Sequence, residues 1–158
     1  MAQLFSFPNP VNEVSARLVA AGVVLLSVMT IALDQPWLIL VLAYGFVARV
    51  ATGPTLSPLG TLATKVLTPR LPFAPKYVAG PPKRFAQGIG ASLSVGAAIA
   101  YFGFGSKGVA YVLVGLVFVA ATLESVFALC LGCKAFAVLI RLGLIPAEIC
   151  ERCNNIWA

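Results

Sequence analysis

The fold is decided by residues 18–50, which read LVAAGVVLLSVMTIALDQPWLILVLAYGFVARV. The first apolar run of this stretch carries no charge and ends at Leu33. After the short link Asp34-Gln35, a second run starts at Pro36 and meets a charge only at Arg49. A helix that crosses a bilayer needs about 20 mostly apolar residues. Two such runs joined by so short a link predict an antiparallel pair of membrane helices.

The composition of the whole chain agrees with this prediction. Of its 158 residues, 60% are apolar and 10% are charged, whereas soluble domains carry about 25% charged residues. No polar stretch is long enough for a second domain, so residues 1–158 are expected to form one membrane domain. The net charge of +6 does not indicate a nucleic-acid partner, because the basic residues lie between apolar segments. The expected partner is the lipid bilayer.

The remaining apolar segments predict a second hairpin. Residues 85–105 carry no charge, and residues 108–133 carry only Glu124; Gly105-Ser106-Lys107 links the two. We therefore expect an all-α membrane protein with four transmembrane helices arranged as two antiparallel hairpins. Their expected bounds are about 12–33, 36–50, 85–105 and 108–133. The helical pattern of the last one extends to Leu142.

The region between the hairpins, residues 51–84, has a different character. It holds seven of the eleven prolines and five basic residues, with no acidic residue. Lysine and arginine concentrate in cytoplasmic loops, so this loop and both chain termini are expected in the cytoplasm. Ser57-Pro58 can cap and begin a helix. We predict a short interfacial helix at about 58–68 within this Pro-rich loop; the alternative is a disordered basic linker.

All four cysteines lie near the end of the chain, as Cys130-x-x-Cys133 and Cys150-x-x-Cys153. They lie at the inner end of the last predicted span and in the tail, so they face a reducing compartment where permanent disulfides are not expected. Gly143 ends one helix and Pro146 begins another. The Cys-bearing tail, 134–158, is thus predicted to form a helical hairpin that brings the two pairs together.

Three interpretations of the cysteines stay open. The first is a redox or sulfur-handling dithiol, in which one thiolate attacks and its neighbour resolves. The second is a metal site made of all four sulfurs, with zinc as the candidate cofactor, because the spacing lies in the tetrathiolate range. The third is apolar packing without further role. Histidine is absent, which excludes a Ser-His-Asp triad and leaves sulfur as the main metal ligand.

Glu124 is the other residue that needs explanation, because ionisable groups inside membrane spans are rare and usually paired or functional. Arg17 begins the first predicted helix and Arg49 ends the second, at comparable depth. We expect a structural ion pair between Glu124 and one of these arginines. A proton relay is the alternative role for Glu124. A further hypothesis, that the protein is a small transporter, would depend on Glu124 alone.

Three segments resemble a known family: Gly80-Pro81-Pro82-Lys83-Arg84-Phe85-Ala86-Gln87, the turn Ser57-Pro58-Leu59-Gly60, and Cys130-Leu131-Gly132-Cys133. In this order they resemble the bacterial membrane family called domain of unknown function 4395, over residues 9–139. The resemblance implies a multi-pass protein of the bacterial inner membrane, with Cys130 and Cys133 at the end of its last helix. Relatives that occur beside thioredoxin-like and rhodanese-like proteins imply thiol or sulfur traffic. The tail pair goes beyond this pattern.

Two hypotheses of function follow. In the first, the cytoplasm-facing thiols take part in thiol-disulfide or sulfur transfer with a soluble thioredoxin-like or rhodanese-like partner, and the tail pair relays or resolves the bond. In the second, four cysteines clamp zinc in a structural or accessory subunit of a larger membrane complex. The sequence leaves open whether the protein is an enzyme; if it is, it is an oxidoreductase of the thiol-disulfide or sulfur-transfer type.

Overall fold

The computed structural model describes residues 11–53, 55–72, 74, 76–78 and 80–146. It is an all-α protein. Its main helices are α1 (Glu13–Ala32), α2 (Trp37–Thr52), α3 (the consecutive stretches Pro58–Thr61, Leu62–Leu67 and Thr68–Arg70), α4 (Gly80–Ala98, continued by Ile99–Gly103), α5 (Lys107–Phe127) and α6 (Leu131–Arg141). A two-residue strand β1 (Val11–Asn12) pairs antiparallel with β2 (Tyr77–Val78).

Local sequence explains where several of these helices begin. The Asn12 side chain accepts a hydrogen bond from the Val14 N–H and caps α1. Ser57 caps α3 in the same way, and Pro58 occupies the first helical position, as the sequence predicted. The helix α4 starts earlier than expected, at Gly80, and includes both prolines of the Gly-Pro-Pro segment. Proline is tolerated there because the first N–H groups of a helix have no partner within it.

Three helices are long and apolar enough to cross a membrane: Glu13–Ala32, Gly80–Gly103 and Lys107–Phe127. A fourth, Trp37–Thr52, is apolar but shorter. In the bundle, α2 packs mainly on α4 and α1 on α5, while α4 also contacts α5. The buried core between them consists of aliphatic side chains and one aromatic ring: Val23, Ile39, Leu42, Phe46, Val114 and Val117. The described chain is therefore a membrane-type helical bundle.

The two tight links lie together at one end of the bundle, which we call the turn end (residues 33–36 and 104–107). There the Lys107 ammonium donates to the Asp34 carboxylate over 2.8 Å, and the Tyr111 hydroxyl donates to the same carboxylate. The Lys107 hydrogen bond, followed by that of Tyr111, lowers the pKa of Asp34 below its ordinary value. The opposite end, which we call the loop end, holds Arg17, Arg49, α3, the start of α4 and the end of α5.

The last predicted span is corrected by the structure. One helix was expected from 108 to 133, with a helical pattern extending to Leu142, but α5 ends at Phe127 and α6 begins at Leu131. Ala128 adopts a left-handed conformation, with φ of 55°, and the Leu129 N–H bonds the Leu123 carbonyl. Because α5 ends here, the last carbonyl groups of the helix have no N–H partner one turn further along the chain. Arg17 donates hydrogen bonds to two of them, those of Ser125 and Val126.

Candidate functional site

Cys130 and Cys133 lie at the beginning of α6, where the chain turns back toward the bundle. They are joined by a disulfide, with 5.2 Å between their Cα atoms, and both are buried, at 9% and 8% exposure. Cys130 is the N-cap of α6, and its sulfur accepts a hydrogen bond of 3.3 Å from the Cys133 N–H. Because a helix N-terminus favours negative charge, it favours the thiolate of a reduced Cys130 over the thiol.

Gly132, between the two cysteines, allows α6 to touch the backbone of α4. A Cβ atom at this position would come within 2.5 Å of both Cα and Cβ of Ala86. One turn further along α6, the ring of Phe136 packs on that of Phe85, with 5.5 Å between centroids. These two contacts fix the start of α6, and with it the sulfur atoms, against the first turns of α4.

Glu124 forms its ion pair with Lys83, not with Arg17 or Arg49 as expected from the sequence. The Lys83 ammonium lies 2.5 Å from the Glu124 carboxylate, and both side chains are largely buried, at 9% and 15% exposure. The prediction failed because Lys83 was assigned to the loop, whereas α4 begins at Gly80 and places Lys83 in its first turn. Arg17 instead binds the carbonyl groups at the end of α5.

Arg49 also has other partners. Its Nε donates to the side-chain oxygen of Gln87 over 3.0 Å, and its Nη1 donates to the Ser57 hydroxyl over 3.1 Å. The guanidinium lies 4.7 Å from the centre of the Phe46 ring. Since Ser57 caps α3, this one side chain connects α2, α3 and α4. At 5% exposure, it is a buried charge supported by hydrogen bonds and by an aromatic face.

A cavity of about 370 Å³ lies between the helices beside the cysteine pair, and it is open on the side where Ile89, Leu116 and Leu131 are exposed. Side chains of α1, α2, α4, α5 and α6 surround it, and most are aliphatic or aromatic, including Val23, Phe46, Leu93 and Val117. Four residues with polar or sulfur-containing side chains also line it: Arg49, Gln87, Glu124 and Cys130. Cys130 of the pair therefore borders a largely apolar space between the helices.

The predicted four-sulfur metal site falls partly outside the described residues, because Cys150 and Cys153 are in the segment 147–158. Within residues 11–146 as far as the structure describes them, no three His, Cys, Asp or Glu side chains cluster as a metal site. The described half of the predicted site, Cys130 and Cys133, can supply two sulfur ligands when reduced. The convergence of the two pairs stays a prediction.

Sequence reasoning missed Lys83, Gly132 and Gln87 as parts of the site. A signal for Lys83 was present: the two prolines directly before it fit the first turn of a helix, which places Lys83 in that turn. Gly132 was recognised only as part of a motif, although a glycine within the first turn of an apolar helix indicates close contact with another backbone. Nothing in the sequence alone indicates the contact of Gln87 with Arg49.

The comparison with known proteins agrees with the order of motifs in the chain. The family model described as domain of unknown function 4395 matches residues 11–141, which covers every helix from α1 to α6. No curated protein and no solved structure matches the chain significantly. The resemblance inferred from the Gly-Pro-Pro segment and the first cysteine pair is thereby confirmed. The chain belongs to the family of domain of unknown function 4395.

Proposed function

We propose that this protein is a thiol-disulfide oxidoreductase of the bacterial inner membrane, in which Cys130 and Cys133 alternate between a dithiol and a disulfide. The observation that carries the proposal is their position as N-cap and third residue of α6, with Cα atoms 5.2 Å apart. This separation lies within the range that a disulfide needs, so the bond can form and open without moving the backbone. The N-cap position adds to this, because it favours the thiolate of a reduced Cys130.

The chemistry runs through both cysteine pairs. In one direction, a thiolate of the tail pair attacks the Cys130–Cys133 disulfide and forms a mixed disulfide, and its neighbour then displaces that bond. The tail pair becomes a disulfide and the first pair becomes a dithiol, so two electrons and two protons pass from the tail pair to the first pair. The tail pair, Cys150 and Cys153, regains its electrons from the reduced dithiol of a soluble thioredoxin-like protein, which becomes a disulfide in turn. A relay suits the burial of Cys130 and Cys133, which a folded partner cannot reach directly.

The distribution of charge supports a cytoplasmic position for the loop end. The described basic residues lie there with one exception, Lys107 at the turn end. Basic residues accumulate on the cytoplasmic side of membrane proteins, which gives four spans with both termini in the cytoplasm. The fourth span is α2, whose 16 residues extend about 24 Å at 1.5 Å each. The exposed apolar side chains of α3, Leu62, Val66 and Leu67, suit a helix that lies in the membrane interface.

The test is to trap the thiols with an alkylating mass tag in intact cells, before and after oxidative or sulfur stress. We expect the Cys130–Cys133 pair to change between disulfide and dithiol. A Cys133→Ser variant should accumulate a mixed disulfide between Cys130 and a cysteine of the tail pair. The matched Cys130→Ser variant should accumulate much less, because the N-cap sulfur is then absent. Thiols that never change state would contradict the proposal. About one zinc per purified chain, lost on a cysteine-to-serine change, would favour the metal-clamped subunit instead.

A further inference from the structure

The cavity beside Cys130 raises the question of what reacts with a buried disulfide. Cys130 and Cys133 are 9% and 8% exposed, so neither sulfur is open to a folded protein. Cys130 nevertheless lines the cavity, together with side chains from five helices. A small molecule in this space would lie next to Cys130, the residue that caps α6. The cavity is therefore an approach to Cys130 for a small molecule that dissolves in the bilayer, separate from the approach of water-soluble thiols.

The walls of the cavity define the chemical class of its occupant. Most of them are aliphatic or aromatic. The one guanidinium among them, Arg49, cannot pair with both phosphates of a nicotinamide or flavin dinucleotide, and the Glu124 carboxylate would repel them. The volume of about 370 Å³ lies in the range of sites for small ligands. An apolar molecule that dissolves in the bilayer fits this environment.

The polar residues of the cavity set a second requirement on the chemistry of its occupant. The Arg49 guanidinium is buried in the bundle and lines the cavity. A guanidinium has five N–H donors, and the bonds to Gln87 and Ser57 use two of them. Such a group favours an occupant with hydrogen-bond acceptors, such as carbonyl oxygens. An apolar ring that carries two carbonyl oxygens and accepts two electrons is a quinone.

We propose that this cavity binds the ring of an isoprenoid quinone, which accepts electrons from the Cys130–Cys133 dithiol. The two S–H bonds break and one S–S bond forms. Two electrons reduce the ring, and two protons are taken up by its two oxygens, giving the quinol. The inference rests on the proposed function, because it requires that the pair cycles. It adds that the electrons delivered by a soluble thiol partner enter the membrane quinone pool.

The experiment uses the full chain in lipid nanodiscs and a short-chain ubiquinone analogue. Two variants fill the cavity to different extents, Ala120→Leu and Ala120→Phe, because Ala120 on α5 lines it and is half-buried. Val119→Phe is the matched control, since Val119 is the neighbour of Ala120 and is 52% exposed. After reduction of the thiols, the absorbance of the analogue reports quinone reduction, and a mass tag counts the thiols that remain.

The wild type and the Val119→Phe control are expected to lose two thiols for each quinone reduced. Both filling variants should react at least about tenfold more slowly while still exchanging with dithiothreitol. A double Cys130→Ser, Cys133→Ser variant should bind the analogue without reducing it, and its binding should be lost on adding Ala120→Phe. This second measurement separates occupancy of the cavity from the thiol reaction.

The possible negative results distinguish a failure of the quinone inference from a failure of the proposed function. If the pair exchanges with dithiothreitol but the analogue is neither bound nor reduced, the quinone inference is overturned and the proposed function stands. If decanol displaces the analogue with equal affinity, the cavity is a general lipid site and the inference is again overturned. If the pair never cycles although the analogue binds, the proposed function fails and the electron-transfer step fails with it.

Discussion

The close contact at Gly132 gives a sharp test of how the site is positioned. In a Gly132→Ala variant, the new Cβ would lie 2.5 Å from two carbon atoms of Ala86. Carbon atoms in contact prefer about 3.5–4.0 Å, so α6 and α4 must separate by about 1 Å or more. The obstacle is backbone, which cannot turn aside as a flexible side chain can. Overpacking of this kind costs about 1–3 kcal/mol.

Gly88→Ala is the matched control, because Gly88 also lies in α4 and a Cβ atom added there would meet nothing within 4 Å. Alanine is the better helix former by about 1 kcal/mol, so this change should raise the stability slightly. Thermal unfolding in detergent measures both variants. For a chain of this size, 1 kcal/mol corresponds to about 2–4 °C in Tm. Gly132→Ala should therefore lower Tm by several degrees while Gly88→Ala does not.

A second readout links this contact to the reaction. Separation of α6 from α4 moves the Cys130 sulfur away from the cavity, so reoxidation of the dithiol by a ubiquinone analogue should slow in Gly132→Ala and not in Gly88→Ala. Equal Tm values and equal reoxidation rates for the two alanine variants would refute the packing argument.

Three further predictions concern the two ends of the bundle. Glu124→Gln should lower the free energy of unfolding by about 3–5 kcal/mol, which is the range for breaking a buried ion pair. Adding Lys83→Met should restore most of this loss, as measured by a double-mutant cycle of unfolding free energies. No coupling between the two sites would contradict their pairing. Lys107 lowers the pKa of Asp34, so the contribution of this carboxylate to stability is present above its ordinary pKa and is lost as pH falls through the lowered value. Asp34→Asn should therefore flatten the decline of Tm between about pH 5 and pH 2, and an unchanged slope would count against this. Ala128→Gly should leave the stability equal or raise it by up to about 1 kcal/mol, because φ of 55° suits glycine; a clear loss of Tm would oppose this.

Much of the fold follows from the sequence because apolar runs and prolines are local signals. The first two helices were expected at 12–33 and 36–50, and they occur at Glu13–Ala32 and Trp37–Thr52. The helical part of the loop was expected at about 58–68 and reaches Arg70. In each case the residue that begins or ends the helix, such as Asn12 or Pro36, is also the one that interrupts the apolar pattern.

The break between α5 and α6 could not be predicted in the same way. No glycine or proline occurs between Glu124 and Leu131, and the apolar pattern continues without interruption. The break depends on contacts between distant residues: Arg17 binds the last carbonyl groups of α5, and Gly132 packs against Ala86. It changes the site, because Cys130 becomes a helix cap instead of one position on a continuous helix face.

The candidate site was therefore predicted in its residues but not in its arrangement. The sequence indicated Cys130 and Cys133 because a CxxC pair is a recognisable pattern, and Glu124 because a charge in an apolar run is rare. It did not indicate the partner of Glu124 or the cavity. Both depend on the way several helices meet in space, which spacing along one chain does not determine.

The most direct test of the central claim is the reduction potential of the Cys130–Cys133 pair, measured by equilibrating the purified chain with glutathione buffers and quantifying the disulfide by mass spectrometry. A pair that exchanges electrons with thioredoxin-like proteins should show one two-electron transition between about −120 and −270 mV. A pair that stays oxidised below about −300 mV would be a structural disulfide, and a pair that never forms the bond would be a packing or metal-binding pair. Either of these results would contradict the account.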